Sequence, residues 1–140
     1  MAPPEVIPAS HRDLLAGPLD VTLVTVMPDG QPQATVVWCS LEEPYVMVNT
    51  MKGFRKERNM RANPRVAVLA MAPGGDRWIE VRGTVEFVEE GAEEHLDRLA
   101  QLYCGCEHYF GQVLPAGFAA TEVPVIARIT PVRVIAEDFR

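Results

Sequence analysis

The sequence predicts a mainly β domain of six strands in an antiparallel sheet, closed or half-closed into a barrel, with two or three short helices. Three observations carry this. The turns between strand-like segments, such as Pro28-Asp29-Gly30 and Pro73-Gly74-Gly75-Asp76, are too short for the crossover a parallel pair needs. The segment from Trp78 to Val88 alternates strictly, with Trp78, Glu80, Arg82 and Thr84 on one face and Ile79, Val81 and Gly83 on the other. At 140 residues and 48% hydrophobic composition, residues 1–140 suit one domain with a filled core. A barrel also removes exposed sheet edges.

The elements follow in order. Residues 1–9 hold three prolines and read as a loose lead-in. Ser10 is placed to cap a short helix over residues 11–16, which Gly17-Pro18 ends. Residues 21–27, β-branched and alternating, form a first strand, residues 34–40 return as a second, and residues 45–49 make a third. Residues 54–62 contain neither Pro nor Gly and form a helix of two or three turns, stopped by Asn63-Pro64. Residues 66–71 and 78–88 are the fourth and fifth strands. Residues 89–103 are helical, with Leu96, Leu99 and Leu102 or Tyr103 as an apolar stripe. Residues 104–121 are irregular, and residues 123–136 close the sheet as a sixth strand, bent or interrupted at Pro131.

The formal net charge of -6 argues against general nucleic-acid binding, which needs a basic footprint. The distribution of charge is more informative than its sum. Of thirteen Lys and Arg residues, six fall between Lys52 and Arg65, with Glu57 the one acid among them. A single cationic segment on an acidic protein implies a local anionic ligand. No apolar run approaches the roughly 20 residues that span a bilayer. The first residues, Met-Ala-Pro-Pro-Glu, lack a secretory pattern. Three cysteines do not make a disulfide framework, so the expected compartment is the cytoplasm.

The run from Asn49 through Lys56 leaves a strand, passes Gly53 and enters a helix. The first N–H groups of a helix lack internal partners, and the helix dipole favours an anion there. Thr50 adds a hydroxyl, Arg55 a planar fork and Lys56 a point charge, a set suited to phosphate. Arg58 and Asn59 share a helix face with Arg55. Elsewhere, Cys104, Cys106 and His108 supply three closely spaced metal-ligand types without a fourth, so packing at a helix end is expected and no metal. His11 and His95 fall on predicted surface helices without partners, which gives them solvent-facing positions. Glu80 and Arg82 read as a solvated pair on one strand face. No Ser/His/Asp or paired-carboxylate constellation stands out, and the catalytic residues are unknown.

The runs Thr25 to Gln33, Val37-Trp38, Val48-Asn49-Thr50, Arg55 to Val68, Trp78 to Glu86 and Leu96 to Ala100, in this order and spacing, resemble the pyridoxamine 5'-phosphate oxidase-like split β-barrel superfamily. Within it they are most similar to the small branch of F420-dependent (or FMN-binding) oxidoreductases. The resemblance implies a homodimeric FMN-binding split barrel with the cofactor between subunits, where the C-terminal strand or residues 104–121 complete the partner's site. It gives Arg55 and Lys56 the cofactor phosphate, and Asn49 and Thr50 the ribityl chain or phosphate. Strand residues Thr35, Val36, Val37 and Trp38 would meet the ring system. Asn59, Trp78 and Lys52 complete the expected cofactor contacts, with Lys52, Arg58 and Arg61 suited to the longer anionic tail of F420. Pyridoxamine phosphate oxidases proper carry Arg and Lys on the second strand, where this chain has Thr35 and Ser40. They also carry Gln where it has Trp78, which argues against that reaction here.

The implied activity is hydride transfer from coenzyme F420 to a small conjugated organic substrate. FMN in the same barrel, as oxidoreductase or electron-transfer flavoprotein, is the alternative. A non-enzymatic protein that carries a cofactor or binds a tetrapyrrole is the reading from a different class.

Overall fold

The computed structural model describes residues 3–140. Its strands are β1 (Val21–Val26), β2 (Pro32–Val37), β3 (Cys39–Glu42), β4 (Tyr45–Met51), β5 (Arg65–Met71), β6 (Arg77–Val88) and β7 (Pro124–Asp138). Helix α1 (Arg55–Ala62) follows β4, helix α2 (Ala92–Cys104) follows β6, and 3₁₀ turns occupy Ala9–Leu14 and Ala116–Ala120. The strands pair antiparallel throughout, in the order β2-β1-β5-β6-β7-β4-β3. The antiparallel half-barrel expected from the sequence is present, with seven strands where six were expected.

The additional strand comes from a change of partner at Trp38. Residues up to Val37 pair with β1, whereas Cys39 onward pairs with β4 at the opposite edge of the sheet. One residue therefore connects the two outermost strands, which forces the sheet to curl until its edges meet at Trp38. The Cys39 N–H leaves the β1 ladder and donates to the Tyr103 hydroxyl at 3.1 Å. No alternation of residue types along 34–40 records that switch.

Alternation places Leu23, Val68, Ile79 and Val81 on the inner face, where each is fully buried with Val46, Val48 and Ile129. Burying each such side chain stabilises the fold by about 1.5–3 kcal/mol. Gly83 lies where β6 and β7 approach most closely: a Cβ there would stand 2.4 Å from the Thr130 carbonyl oxygen. At this point the register shifts, Gly83 pairing with Pro131 and Arg82 with Arg133. The strand is continuous through Pro131 because its missing N–H lies on the side away from β6, where its carbonyl accepts the Glu5 N–H at 3.0 Å.

That contact overturns the loose lead-in, of which residues 1 and 2 lie outside the described residues. Glu5 also accepts the Val134 N–H through its carboxylate at 2.8 Å, and Ile7 is fully buried. The segment covers the part of β7 that extends beyond β4. The first helix is a 3₁₀ turn, and Ser10 is not its cap: the cap position is Pro8, and the Ser10 hydroxyl meets His11 Nδ1 at 2.7 Å. His11 is itself buried, with Nε2 2.9 Å from the Glu137 carbonyl, so its expected solvent-facing position is corrected.

Candidate functional site

A cleft of about 310 Å³ opens where the sheet edges meet, between the ends of β2 and β4, the start of α1 and the flank of α2. Val36, Val37 and Trp38 form its sheet wall, Asn49 and Thr50 its floor at the end of β4, and Lys56 its basic corner. These six expected contacts are gathered by the fold. Tyr109 and Leu114 close it from the loop after α2, and Leu96 and Leu99 pack behind.

The basic corner is built by backbone. Gly53 adopts φ +90°, which a side-chain-bearing residue rarely tolerates. Its N–H donates to the Glu57 carboxylate at 2.8 Å, and α1 starts two residues later. Lys56 projects into the cleft half-buried, and burial lowers its pKa. Among the described residues it forms no ion pair; the Phe54 ring lies 5.4 Å from its Nζ. Beside it, Thr50 is buried and its Oγ1 has no hydrogen-bond partner. An unpaired lysine next to an unpaired buried hydroxyl is an arrangement that an anionic oxygen would satisfy.

The other expected contacts lie elsewhere. Arg55 does not line the cleft: its Nε donates to Asn59 Oδ1 at 3.0 Å. Asn59 is buried beneath α1 and donates to Thr25 Oγ1 at 3.1 Å, so it orients Arg55 and is shielded from a ligand. Lys52 pairs with Glu89, and Arg61 pairs with Glu57 and lies over the Phe87 ring. Both are thereby neutralised as contacts for a longer tail. Thr35 points to the inner face opposite Leu23, and its Oγ1 has no partner. Trp78 pairs with Met71 on the outer face of the sheet, away from the cleft of this chain.

Trp38 is held as a flat wall. Its ring stacks on Tyr103 with centroids 5.0 Å apart and planes at 16°, and Tyr109 meets it edge-on at 6.2 Å. Tyr103 is anchored by its hydroxyl, which donates to the Leu19 carbonyl at 2.7 Å. The loop carrying Tyr109 is fixed to α2 by Asp97, which accepts the Tyr109 N–H at 2.8 Å and pairs with His108 at 3.2 Å. His108 thus serves the loop, and Cys104 and Cys106 are free thiols outside the cleft. No group of three His, Cys, Asp or Glu side chains is placed to hold a metal among the described residues. Tyr109, Val113 and Leu114 line the cleft of their own chain, a role that irregular sequence does not reveal.

His95 overturns its expected exposure. It is fully buried on α2, because Ala92, His95, Leu96, Leu99 and Ala100 share the face that packs on the sheet. Spacings of three and four residues placed it within the apolar stripe and were the available signal. Its Nδ1 lies 3.1 Å from Asn49 Nδ2 and its Nε2 2.9 Å from Ser40 Oγ. Burial, with Arg98 nearby, lowers its pKa to about 4.

Over residues 7–135 the chain matches the pyridoxamine 5'-phosphate oxidase family. It belongs to that family. Two curated pyridoxine/pyridoxamine 5'-phosphate oxidases are similar to part of it. The Rubrobacter xylanophilus protein is 40% identical over 68 residues, 48% of this chain and 31% of that protein. The Ralstonia pickettii protein is 37% identical over 75 residues, 53% of this chain and 35% of that protein. The matched regions thus span about a third of those relatives. Among solved structures, an F420 reductase is 30% identical with a TM-score of 0.77, covering 92% of this chain and 98% of its own. A conserved hypothetical protein from Mycobacterium tuberculosis is 28% identical with a TM-score of 0.74, covering 100% of this chain and 89% of its own. The family model and these solved structures thus agree on the same family and fold for this chain. No helix among its described residues is long and apolar enough to cross a membrane.

Proposed function

We propose that the cleft binds the phosphate-bearing chain of coenzyme F420 and that the protein transfers a hydride from it to a conjugated organic substrate. The observation that carries the binding is the pair formed by Thr50 Oγ1, buried without a partner, and Lys56, half-buried without a counter-ion. Lys56 lies in the first turn of α1, where the first N–H groups add positive potential, and Thr50 lines the same cleft from the end of β4. Lys56 and Thr50 would hold the phosphate, with Arg55 at its outer side, oriented by Asn59. Trp38 and Tyr109 supply flat apolar surface for a ring, and Leu96 and Leu99 exclude water behind it. When bound, the cofactor supplies the hydride chemistry; the protein supplies position and electrostatics.

FMN is the second reading, favoured by a specific observation. With Lys52 paired to Glu89 and Arg61 to Glu57, Arg58 alone of the three cations suited to a longer tail has no ion pair among the described residues, so the remaining charge suits one phosphate more readily than a long anionic tail. The preference for F420 therefore rests on the similarity to an F420 reductase over nearly the whole chain.

A second copy of the chain completes the site in this proposal. A volume of about 310 Å³ is at the low end for a small-molecule site. The cleft's rim residue Val36 is 67% exposed and lies in one register row with Thr22 and Leu69 on the outer face of β2, β1 and β5. That face continues to exposed Met71 and, across β6, to exposed Val132. Light scattering on the purified protein tests the dimer, with a monomeric mass refuting it. The cofactor test is the absorbance spectrum of the purified protein followed by titration with FMN and with F420. Tight F420 binding with reduction of a conjugated acceptor is expected. FMN binding alone would select the second reading, turnover-free binding a carrier, and binding of neither would end the cofactor reading.

A further inference from the structure

Ser40, His95 and Asn49 are spaced like a hydrolytic triad: Ser40 Oγ lies 2.9 Å from His95 Nε2, and Asn49 Nδ2 lies 3.1 Å from His95 Nδ1. The hydrogen-bond directions exclude that chemistry. The Asn49 amide nitrogen also lies 2.9 Å from the Ala92 carbonyl, which can only accept. Asn49 must therefore present its NH₂ group to α2, and His95 Nδ1 must accept one of its hydrogens. A neutral imidazole that accepts at Nδ1 carries its proton on Nε2. Nε2–H then donates to Ser40, so the histidine is not poised to take the Ser40 proton.

The same directions decide what Asn49 offers elsewhere. Both Nδ2 hydrogens are engaged by α2, while Oδ1 is buried without a partner and Asn49 lines the cleft. We propose that His95 is a positioning residue that, by accepting at Nδ1 beside the Ala92 carbonyl, holds the Asn49 amide in one sense, so that the cleft presents an acceptor, Oδ1, at this point and no donor. This rests on the reading of the cleft as a cofactor site and deepens it. The group seated against Asn49 is a donor, a chain hydroxyl or a ring N–H. A phosphate oxygen is repelled from Oδ1 and is confined to the Thr50–Lys56 end. Two groups on α2, the Ala92 carbonyl and the His95 ring, thus set the direction in which a flavin-like chain lies.

Two measurements on the full chain test this, and the first needs no cofactor. The ¹⁵N-resolved imidazole spectrum of the ligand-free protein near neutral pH should show His95 with hydrogen on Nε2 and none on Nδ1. The opposite tautomer, or a protonated ring, would overturn the proposal whether or not any cofactor binds. The second compares His95→Gln, whose side-chain carbonyl can still accept from Asn49, with His95→Leu, which cannot. With FMN as probe, His95→Leu should bind about tenfold more weakly, the scale of one lost hydrogen bond. His95→Gln should stay within about threefold of wild type. Wild-type affinity in His95→Leu, or equal losses in both variants, would show that His95 only fills space. If His95→Leu does not fold, the tautomer alone decides the proposal. If wild type binds no FMN, the cofactor reading is what fails, and the tautomer still decides the role of His95.

Discussion

Acidification should destabilise this protein through His95 before its carboxylates are protonated. In the unfolded chain the imidazole titrates near 6.5, whereas burial, with Arg98 nearby, lowers it to about 4 in the fold. Between these values the unfolded state binds a proton that the native state refuses. The stabilisation is complete above the unfolded pKa and is lost as pH falls towards the folded one. The drop is worth about 3 kcal/mol in full, and about 2 kcal/mol of it falls between pH 7 and about pH 4.5. That is a large share of the stability of a small domain. Asp13, Glu57, Glu89 and Asp138 also have lowered pKa values, so their losses come below the ordinary carboxylate range. The assay is urea unfolding at both pH values for wild type and His95→Gln, in which the carboxylate losses cancel. Wild type should lose about 2 kcal/mol more than the variant over this interval. Equal losses would refute the buried, neutral histidine and the tautomer argument built on it.

Three further substitutions probe the cleft and its frame. Lys56→Ala should weaken FMN or F420 binding by about 10–100-fold, the worth of a charge-assisted hydrogen bond, while Arg55→Ala, whose guanidinium is tied to Asn59, should cost about threefold, both read by fluorescence titration. The reverse order would place the phosphate on the Arg55 side of α1. Tyr103→Phe leaves the Leu19 carbonyl and the Cys39 N–H without their partner and should cost about 1–3 kcal/mol in urea unfolding, with the Trp38 stacking retained. Gly83→Ala forces a Cβ to within 2.4 Å of a backbone oxygen and should cost more than about 4 kcal/mol, seen as loss of soluble folded protein; a near-normal melting temperature would refute the close β6–β7 approach.

What the sequence by itself determined is local. The period-two alternation of residues 78–88 faced Ile79 and Val81 inward, and the structure agrees residue by residue, because a strand's two faces follow from backbone geometry alone. The stretch free of Pro and Gly before Asn63-Pro64 bounded α1 for the same reason, and the basic residues it carries were already visible. Tertiary structure decided which of those charges remain unpaired. Lys52 found Glu89, distant in sequence, and Lys56 found no carboxylate, whereas the pair of Arg61 with Glu57 follows from their spacing of one helical turn within α1. The seventh strand, the burial of His95 and the closure of the cleft by Tyr109 likewise depend on partners remote in the chain. Cys39 meets Tyr103 across 64 residues, Asn49 meets His95 across 46, and Asp97 reaches Tyr109 across 12. Residue type specifies what each group can donate or accept; only the folded chain determines which partner answers it, and so which polar atoms are left for a ligand.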